Sequence, residues 1–161
     1  MNWAARPDGM TPDPAQLRFF FDESVLGLGK AMAIARKDVV HTGHALVPEI
    51  PLGCEDVDWM PAVARRRLVV VARDKRIRTK PAELKALREH GLRVFWIAGK
   101  RDLSNWEALV RVVRRWQEIE RLVSQRPEGP WFMAVMDGGL NELRVSATGA
   151  LIKSLQGGLA T

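Results

Sequence analysis

Carboxylates collect at the ends of two apolar, strand-like segments, 17–21 and 68–72, and just before the helix that leads into the second segment. The acidic residues in question are Asp22, Glu23, Asp56, Asp58 and Asp74. Asp22 and Glu23 follow residues 17–21, and Asp74 follows residues 68–72 after one intervening arginine. Carboxylates within about 4–6 Å of each other repel unless a cation joins them, and hard oxygen ligands suit Mg²⁺ or Mn²⁺. Such an ion would hold a phosphate oxygen and lower the pKa of an attacking water.

The elements that position these carboxylates alternate between strand and helix. Apolar runs rich in β-branched and aromatic residues predict strands at 17–21, 38–41, 68–72, 93–98 and 131–135, with a hairpin to 143–145. Helices are predicted at 24–36, 59–66 after a cap at Asp58, 81–90 and 104–124. This order predicts an α/β fold with a mostly parallel sheet flanked by helices. Ligands of such sheets bind beyond the carboxyl ends of the strands, so Asp22 and Asp74 are expected at one edge.

Positive charge is concentrated in one part of the chain. The net charge is +6, and residues 61–126 hold 18 of the 25 Lys and Arg but only 7 of the 19 Asp and Glu. This asymmetry indicates either a surface for a polyanion beside an acidic pocket or solvated helix faces. Basic residues crowd the segment that surrounds Asp74, and the predicted RNA contacts there are Arg73, Lys75, Arg76 and Arg78.

Composition excludes several classes of protein. No apolar run approaches the roughly 18 residues of a membrane span, and no signal peptide is recognisable. The lone Cys54 cannot form an intrachain disulfide, which favours a reducing cytoplasm, and its acidic neighbours should raise the pKa of the thiol. We expect a flexible leader over 1–16, one domain over 17–145, and a weakly specified tail over 146–161.

Histidine and tryptophan patterns receive structural interpretations. His41 and His44 have a spacing seen in metal sites, but without cysteines nearby the signal is weak. Trp96, Trp106 and Trp116 are predicted to lie in the core rather than to stack on bases. The last predicted helix has an apparent apolar stripe that consists of Trp106, Leu109, Val110, Val113, Trp116 and Leu122.

The segment 19–23 resembles the opening strand of PIN-like domains, in which an acidic residue directly follows the strand. The run from Asp58 through residues 68–75 resembles their middle section, where an acid precedes a helix and the next strand ends in a Thr-Arg-Asp-like motif. The resemblance covers about residues 17–135 and is closest to the VapC-type toxins of toxin–antitoxin pairs. It implies a three-layer PIN-like fold and a ribonuclease that depends on Mg²⁺ or Mn²⁺.

The resemblance also implies roles and partners. Asp22 and Asp74 would be metal ligands, Asp58 a third acid with Asp56 as its alternative, and Glu23 either an extra ligand or a helix-start residue. An RNA substrate, a cognate antitoxin and a homodimer would be the partners. Ala72 departs from the motif, since Thr usually stands there, and Asp102 is a weak candidate for a fourth acid.

Two alternatives to a ribonuclease stay open at this point. One is a catalytically inactive PIN-like module that binds RNA or protein, which the missing Thr and fourth acid favour. The other is a phosphate-accepting, receiver-like domain, in which Lys100 would follow the strand at 93–98.

Overall fold

The computed structural model describes residues 16–73, 80–99 and 102–153. Its strands are β1 (Phe19–Phe21), β2 (Val39–His41), β3 (Val69–Ala72), β4 (Arg93–Ile97), β5 (Trp131–Met136), β6 (Gly139–Val145) and β7 (Leu151–Lys153). Its α-helices are α1 (Leu26–Ala35), α2 (Asp56–Arg65), α3 (Pro81–Glu89) and α4 (Asn105–Gln125), and a 3₁₀ turn (Glu23–Val25) precedes α1. None of these helices is long and apolar enough to cross a membrane.

The strands form one sheet in the order β2-β1-β3-β4-β5-β6-β7. Strands β1 to β5 are parallel, and β6 and β7 are antiparallel additions at one end. This arrangement confirms the predicted mostly parallel α/β fold, and the predicted hairpin is β5–β6. The tail prediction did not foresee β7, a short edge strand whose Ile152 is about half exposed.

Each face of the sheet is covered by its own pair of helices. Phe20 points into a core under α2 and α3, which contribute residues such as Met60 and Leu84. Phe19 and Phe21 point the other way, into a core under α1 and α4. Side chains alternate across a strand, so a strand buried on both faces appears in the sequence as an unbroken apolar run. That is why residues 68–72 and 93–98 were recognisable as strands.

The two connections that follow β3 have opposite hands. Both β3–α3–β4 and β4–α4–β5 step in the same direction across the sheet, yet α3 and α4 cover opposite faces. One of them therefore has the uncommon left hand. The consequence is that α4 lies beside α1, and the Asn105 side chain lies 2.6 Å from where a Cβ on Gly27 would stand. The start of α4 is thereby brought next to the carboxyl end of β1.

Two helix predictions need correction. Helix α2 begins at Asp56 rather than after Asp58, because the Glu55 carbonyl already accepts from the N–H of Asp58 at 3.0 Å. Asp58 therefore lies in the first turn and does not cap the helix. In α4 the capping box of Ser104 is present as expected, but the predicted stripe is only partly right. Trp116 is buried and Leu109 and Leu122 pack against the same core, whereas Trp106 and Val113 are exposed. The residues of α4 that pack on the sheet are Ala108, Val112, Trp116, Ile119 and Val123.

Two of the three tryptophan predictions are confirmed and one is wrong. Trp96 and Trp116 lie in the core as predicted, with exposed fractions of 1% and 9%. Trp106 does not, because it is 71% exposed on the outer side of α4, and Val113 is also exposed. Ten of the 21 residues of α4 are apolar or aromatic, so more than one helical stripe fits the pattern, and contact with the sheet decides which stripe is buried.

Candidate functional site

The strand order places a crevice between β1 and β3. The chain leaves β1 towards β2 on one side and leaves β3 towards β4 on the other, so the order reverses at this point of the sheet. Ligand sites of open parallel sheets lie at the carboxyl ends of the strands at such a reversal. The backbone N–H of Asp22 donates to the carbonyl of Val71 at 3.1 Å, which places Asp22 at the end of β1 directly against β3.

Asp22 is held in a defined orientation by Ser24. The Asp22 side chain is 5% exposed, and its Oδ1 accepts from the backbone N–H of Ser24 at 3.1 Å. The Ser24 hydroxyl also donates to the same oxygen, and its own oxygen accepts from the backbone N–H of Arg73 at 2.9 Å. Ser24 therefore joins the carboxyl ends of β1 and β3. Sequence analysis missed this role, although the Asp-x-Ser spacing at the start of a helical segment is a capping signal.

Arg73 lies at this edge, where an RNA contact was predicted. Its guanidinium donates to the backbone carbonyl of Leu103 and lies 3.7 Å from a carboxylate oxygen of Asp102. Part of the Arg73 side chain is thus engaged in joining β3 to the segment before α4. Asp102, the weak candidate for a fourth acid, is fully exposed and pairs with Arg73.

The other described carboxylates have separate partners. Both carboxylate oxygens of Glu23 lie 3.2 Å from the backbone N–H of Gly53, which fastens the loop after β2 to the end of β1. Asp56 accepts from the indole N–H of Trp59 at 2.8 Å, and Asp58 is exposed on α2.

A complete metal site is not assembled by the residues described. Over 16–73, 80–99 and 102–153, no group of three or more His, Cys, Asp or Glu is arranged to hold a metal ion. The predicted ligand Asp74 and the predicted RNA contacts Lys75, Arg76 and Arg78 lie outside the described residues. The metal ligand set therefore stays a prediction, with Asp22 as the member that the fold places at the crevice.

The acidic residues nevertheless create a negative field near the loop that precedes α2. The pKa of the Cys54 thiol is raised, first by burial and then by the charges of Asp58, Glu55, Asp56 and Glu23, in that order. The predicted direction for Cys54 is confirmed. A thiol with a raised pKa is a poor nucleophile at neutral pH, so Cys54 does not fit a catalytic role.

The two histidines form a structural pair. Their rings meet edge to face with centroids 5.0 Å apart. The Nδ1 of His44 accepts from the N–H of Leu46 at 3.0 Å, and the Nδ1 of His41 donates to the carbonyl of Thr42 at 2.7 Å. Burial and the neighbouring His41 lower the pKa of His44. The pair thus orders the turn after β2.

Comparison with known proteins gives one match. A family model described as a PIN-like domain matches residues 17–99, which is about half of the chain and includes β1 to β4. No curated protein and no solved structure matches the chain. Proteins of the matched family are generally nucleases, and they usually use Mg²⁺ or Mn²⁺.

Proposed function

This chain belongs to the PIN-like domain family, and from that premise we propose that it is a metal-dependent endoribonuclease, the toxin of a toxin–antitoxin pair. Family membership indicates a nuclease-type, hydrolytic module. The choice of RNA as substrate, the toxin role and the cognate antitoxin are proposed here from the resemblance to VapC-type toxins.

The observation that carries the proposal is the position of Asp22. It is a buried carboxylate at the carboxyl end of a central strand, at the point where the strand order reverses, and Ser24 fixes one of its oxygens. A buried carboxylate is costly unless it is hydrogen-bonded or paired with a cation. Asp22 also caps the 3₁₀ turn that follows β1, and a buried carboxylate in a crevice is in addition a candidate for a functional site.

The donor set supports a divalent metal in part. Asp22 and Asp74 are the residues that would hold the ion, with Asp58 or Asp56 as a third acid. Carboxylate oxygens suit Mg²⁺ and Mn²⁺. When bound, such an ion neutralises phosphate charge and promotes attack by water on a phosphodiester.

The residues of the chain itself would orient the substrate. Asp22 and the end of β3 would define where the scissile phosphate lies, because they form the two walls of the crevice. Arg73 at its rim supplies a planar guanidinium, which suits a phosphate oxygen. Ser24 holds Asp22 and the Arg73 backbone in one geometry, so that neither needs to reorganise when RNA binds.

The test is cleavage of a mixed RNA pool by the wild type and by Asp22→Asn, purified identically, with Mn²⁺ and with a chelator. Asparagine keeps an oxygen for the Ser24 N–H but removes the charge. Asp38→Asn is the matched control, because Asp38 is a largely buried, ion-paired carboxylate before β2, at the opposite edge of the sheet. Cleavage only with Mn²⁺, by the wild type and Asp38→Asn, supports the proposal. Equal cleavage by Asp22→Asn refutes it.

A catalytically inactive PIN-like module is the second candidate. It is favoured by Ala72 at the position where the motif usually has Thr and by the lack of a clear fourth acid in the sequence. This alternative predicts RNA binding that depends steeply on salt but not on metal, without cleavage. The match to the PIN-like family favours both of these candidates over a receiver-like domain.

A further inference from the structure

The outer side of α4 carries an exposed line of residues with a mixed aromatic and basic character. Trp106 is 71% exposed, the half-buried Val110 and the exposed Arg114 follow at intervals of four residues, and the exposed Arg121 continues the line. Residues three to four apart share one side of a helix, so these four residues lie along one strip that faces away from the sheet. We call them the α4 ridge.

The ridge begins at the candidate site. A shallow groove of about 220 Å³ runs along its first turns, between Trp106 and the ion pair of Arg111 with Asp137. Leu103 lines the same groove, and its carbonyl accepts from the guanidinium of Arg73. A chain of direct contacts therefore connects Asp22, through Ser24 and Arg73, to the groove beside Trp106.

The ridge contains two arginines and no carboxylate, although Glu107 of the same helix lines the groove beside it. Glu107 closes the capping box, Glu118 binds a neighbouring arginine at 2.6 Å, and Glu120 binds an arginine after α1 at 2.9 Å. Arg114 and Arg121 make no ion pair or side-chain hydrogen bond with the residues described in the structure. An exposed indole followed by unpaired guanidinium groups is complementary to a base followed by phosphates.

We propose that the α4 ridge binds single-stranded RNA as it leaves the crevice, with a base stacked on Trp106 and phosphates held by Arg114 and Arg121. The proposal rests on the proposed function, since it names the route of the substrate of that site. Seven residues of helix separate the two arginines, a rise of about 10 Å, so they would contact different phosphates.

The experiment measures binding of a short fluorescein-labelled oligouridine to the full chain by fluorescence anisotropy, in chelator. Loss of one stacked base in Trp106→Ala should raise Kd about tenfold, and Trp106→Phe should restore most of the affinity. Ile34→Ala is the matched control, because Ile34 is 89% exposed on α1 and away from the ridge. Equal Kd values for Trp106→Ala and Ile34→Ala overturn the proposal, as does an absence of RNA binding by the wild type.

Salt dependence separates the arginines from the tryptophan. Arg114→Ala and Arg121→Ala should each reduce the slope of log Kd against log salt concentration by about 0.7, the value for one phosphate of a single strand. Trp106→Ala should leave that slope unchanged, and so should Arg88→Ala, which removes an exposed arginine from α3. Unchanged slopes for both ridge arginines contradict the proposal and would point to a protein partner for this surface. Thermal unfolding checks that each variant is folded.

Binding and cleavage together distinguish failure of the ridge from failure of the proposed function. If the wild type binds through Trp106 but cuts no RNA with Mn²⁺, the nuclease proposal fails and the ridge stands. If it cuts RNA and Trp106→Ala leaves Kd unchanged, the ridge fails and the nuclease stands.

Discussion

Ser24→Ala is expected to weaken the fold and the candidate site together. The substitution removes the hydroxyl that donates to Asp22 and accepts from the Arg73 N–H, but keeps the backbone N–H bond to Asp22. A hydrogen bond to a charged group contributes about 1.5–3 kcal/mol and a neutral one about 1 kcal/mol. Because Ser24 is exposed, water replaces part of both hydrogen bonds in the variant. We therefore expect the free energy of unfolding to fall by about 2 kcal/mol. For a domain of this size that lowers Tm by about 4–8 °C.

The assay combines urea unfolding, followed by circular dichroism, with RNA cleavage at saturating Mn²⁺. Ser146→Ala is the matched control, because its hydroxyl accepts from a backbone N–H at 3.1 Å in an exposed turn remote from the crevice. Ser24→Thr keeps the hydroxyl and should retain activity, whereas Ser24→Ala should lower the cleavage rate even where it is fully folded. A stability of Ser24→Ala equal to that of Ser146→Ala would refute the reasoning that Ser24 joins the two strands.

Three further predictions follow from local contacts. Gly29→Ala should lower the free energy of unfolding by about 1–3 kcal/mol, since its new Cβ would lie 2.7 Å from the Cβ of a β1 residue. In Gly27→Ala the new Cβ meets only a side-chain amide, so urea unfolding should show no change or a free energy of unfolding that is higher by up to about 1 kcal/mol. The urea midpoint should fall as the pH drops below about 6.5, the ordinary pKa of histidine. The reason is that the pKa of His44 is lowered in the folded protein, so the unfolded state binds the proton more tightly. His44→Asn should flatten this pH dependence. Cys54 should react slowly with iodoacetamide at neutral pH, and Asp58→Asn should accelerate the reaction modestly, since burial is the larger cause of the raised pKa.

Each of these predictions has a clear contrary result. Equal unfolding midpoints for the two glycine variants would mean that α1 can move away from β1 without cost. An unchanged pH profile in His44→Asn would assign the acid sensitivity to other groups. A Cys54 that is alkylated as fast as a free thiol would contradict the negative field around the loop before α2.

Local patterns in the sequence determined much of the fold. The apolar runs at 68–72 and 93–98 predict strands because burial on both faces leaves no alternation. Ser104 and Glu107 predict the start of α4 because a capping box is a contact between residues three apart. Such features depend on neighbours along the chain, and those neighbours are visible in the sequence. The placement of Asp22 at the end of β1 was predictable for the same reason.

Only the tertiary structure decided which residues become neighbours at the candidate site. Ser24 and Arg73 are 49 residues apart, and only the order β2-β1-β3 makes them hydrogen-bonded neighbours. The exposure of Trp106 could not be predicted from the sequence either. An apolar residue on a helix is buried only if its side of the helix packs against the sheet, and the crossover into α4 sets which side of α4 does so. Long-range packing fixes both relations, since contact energies between distant segments choose among patterns that the local sequence allows.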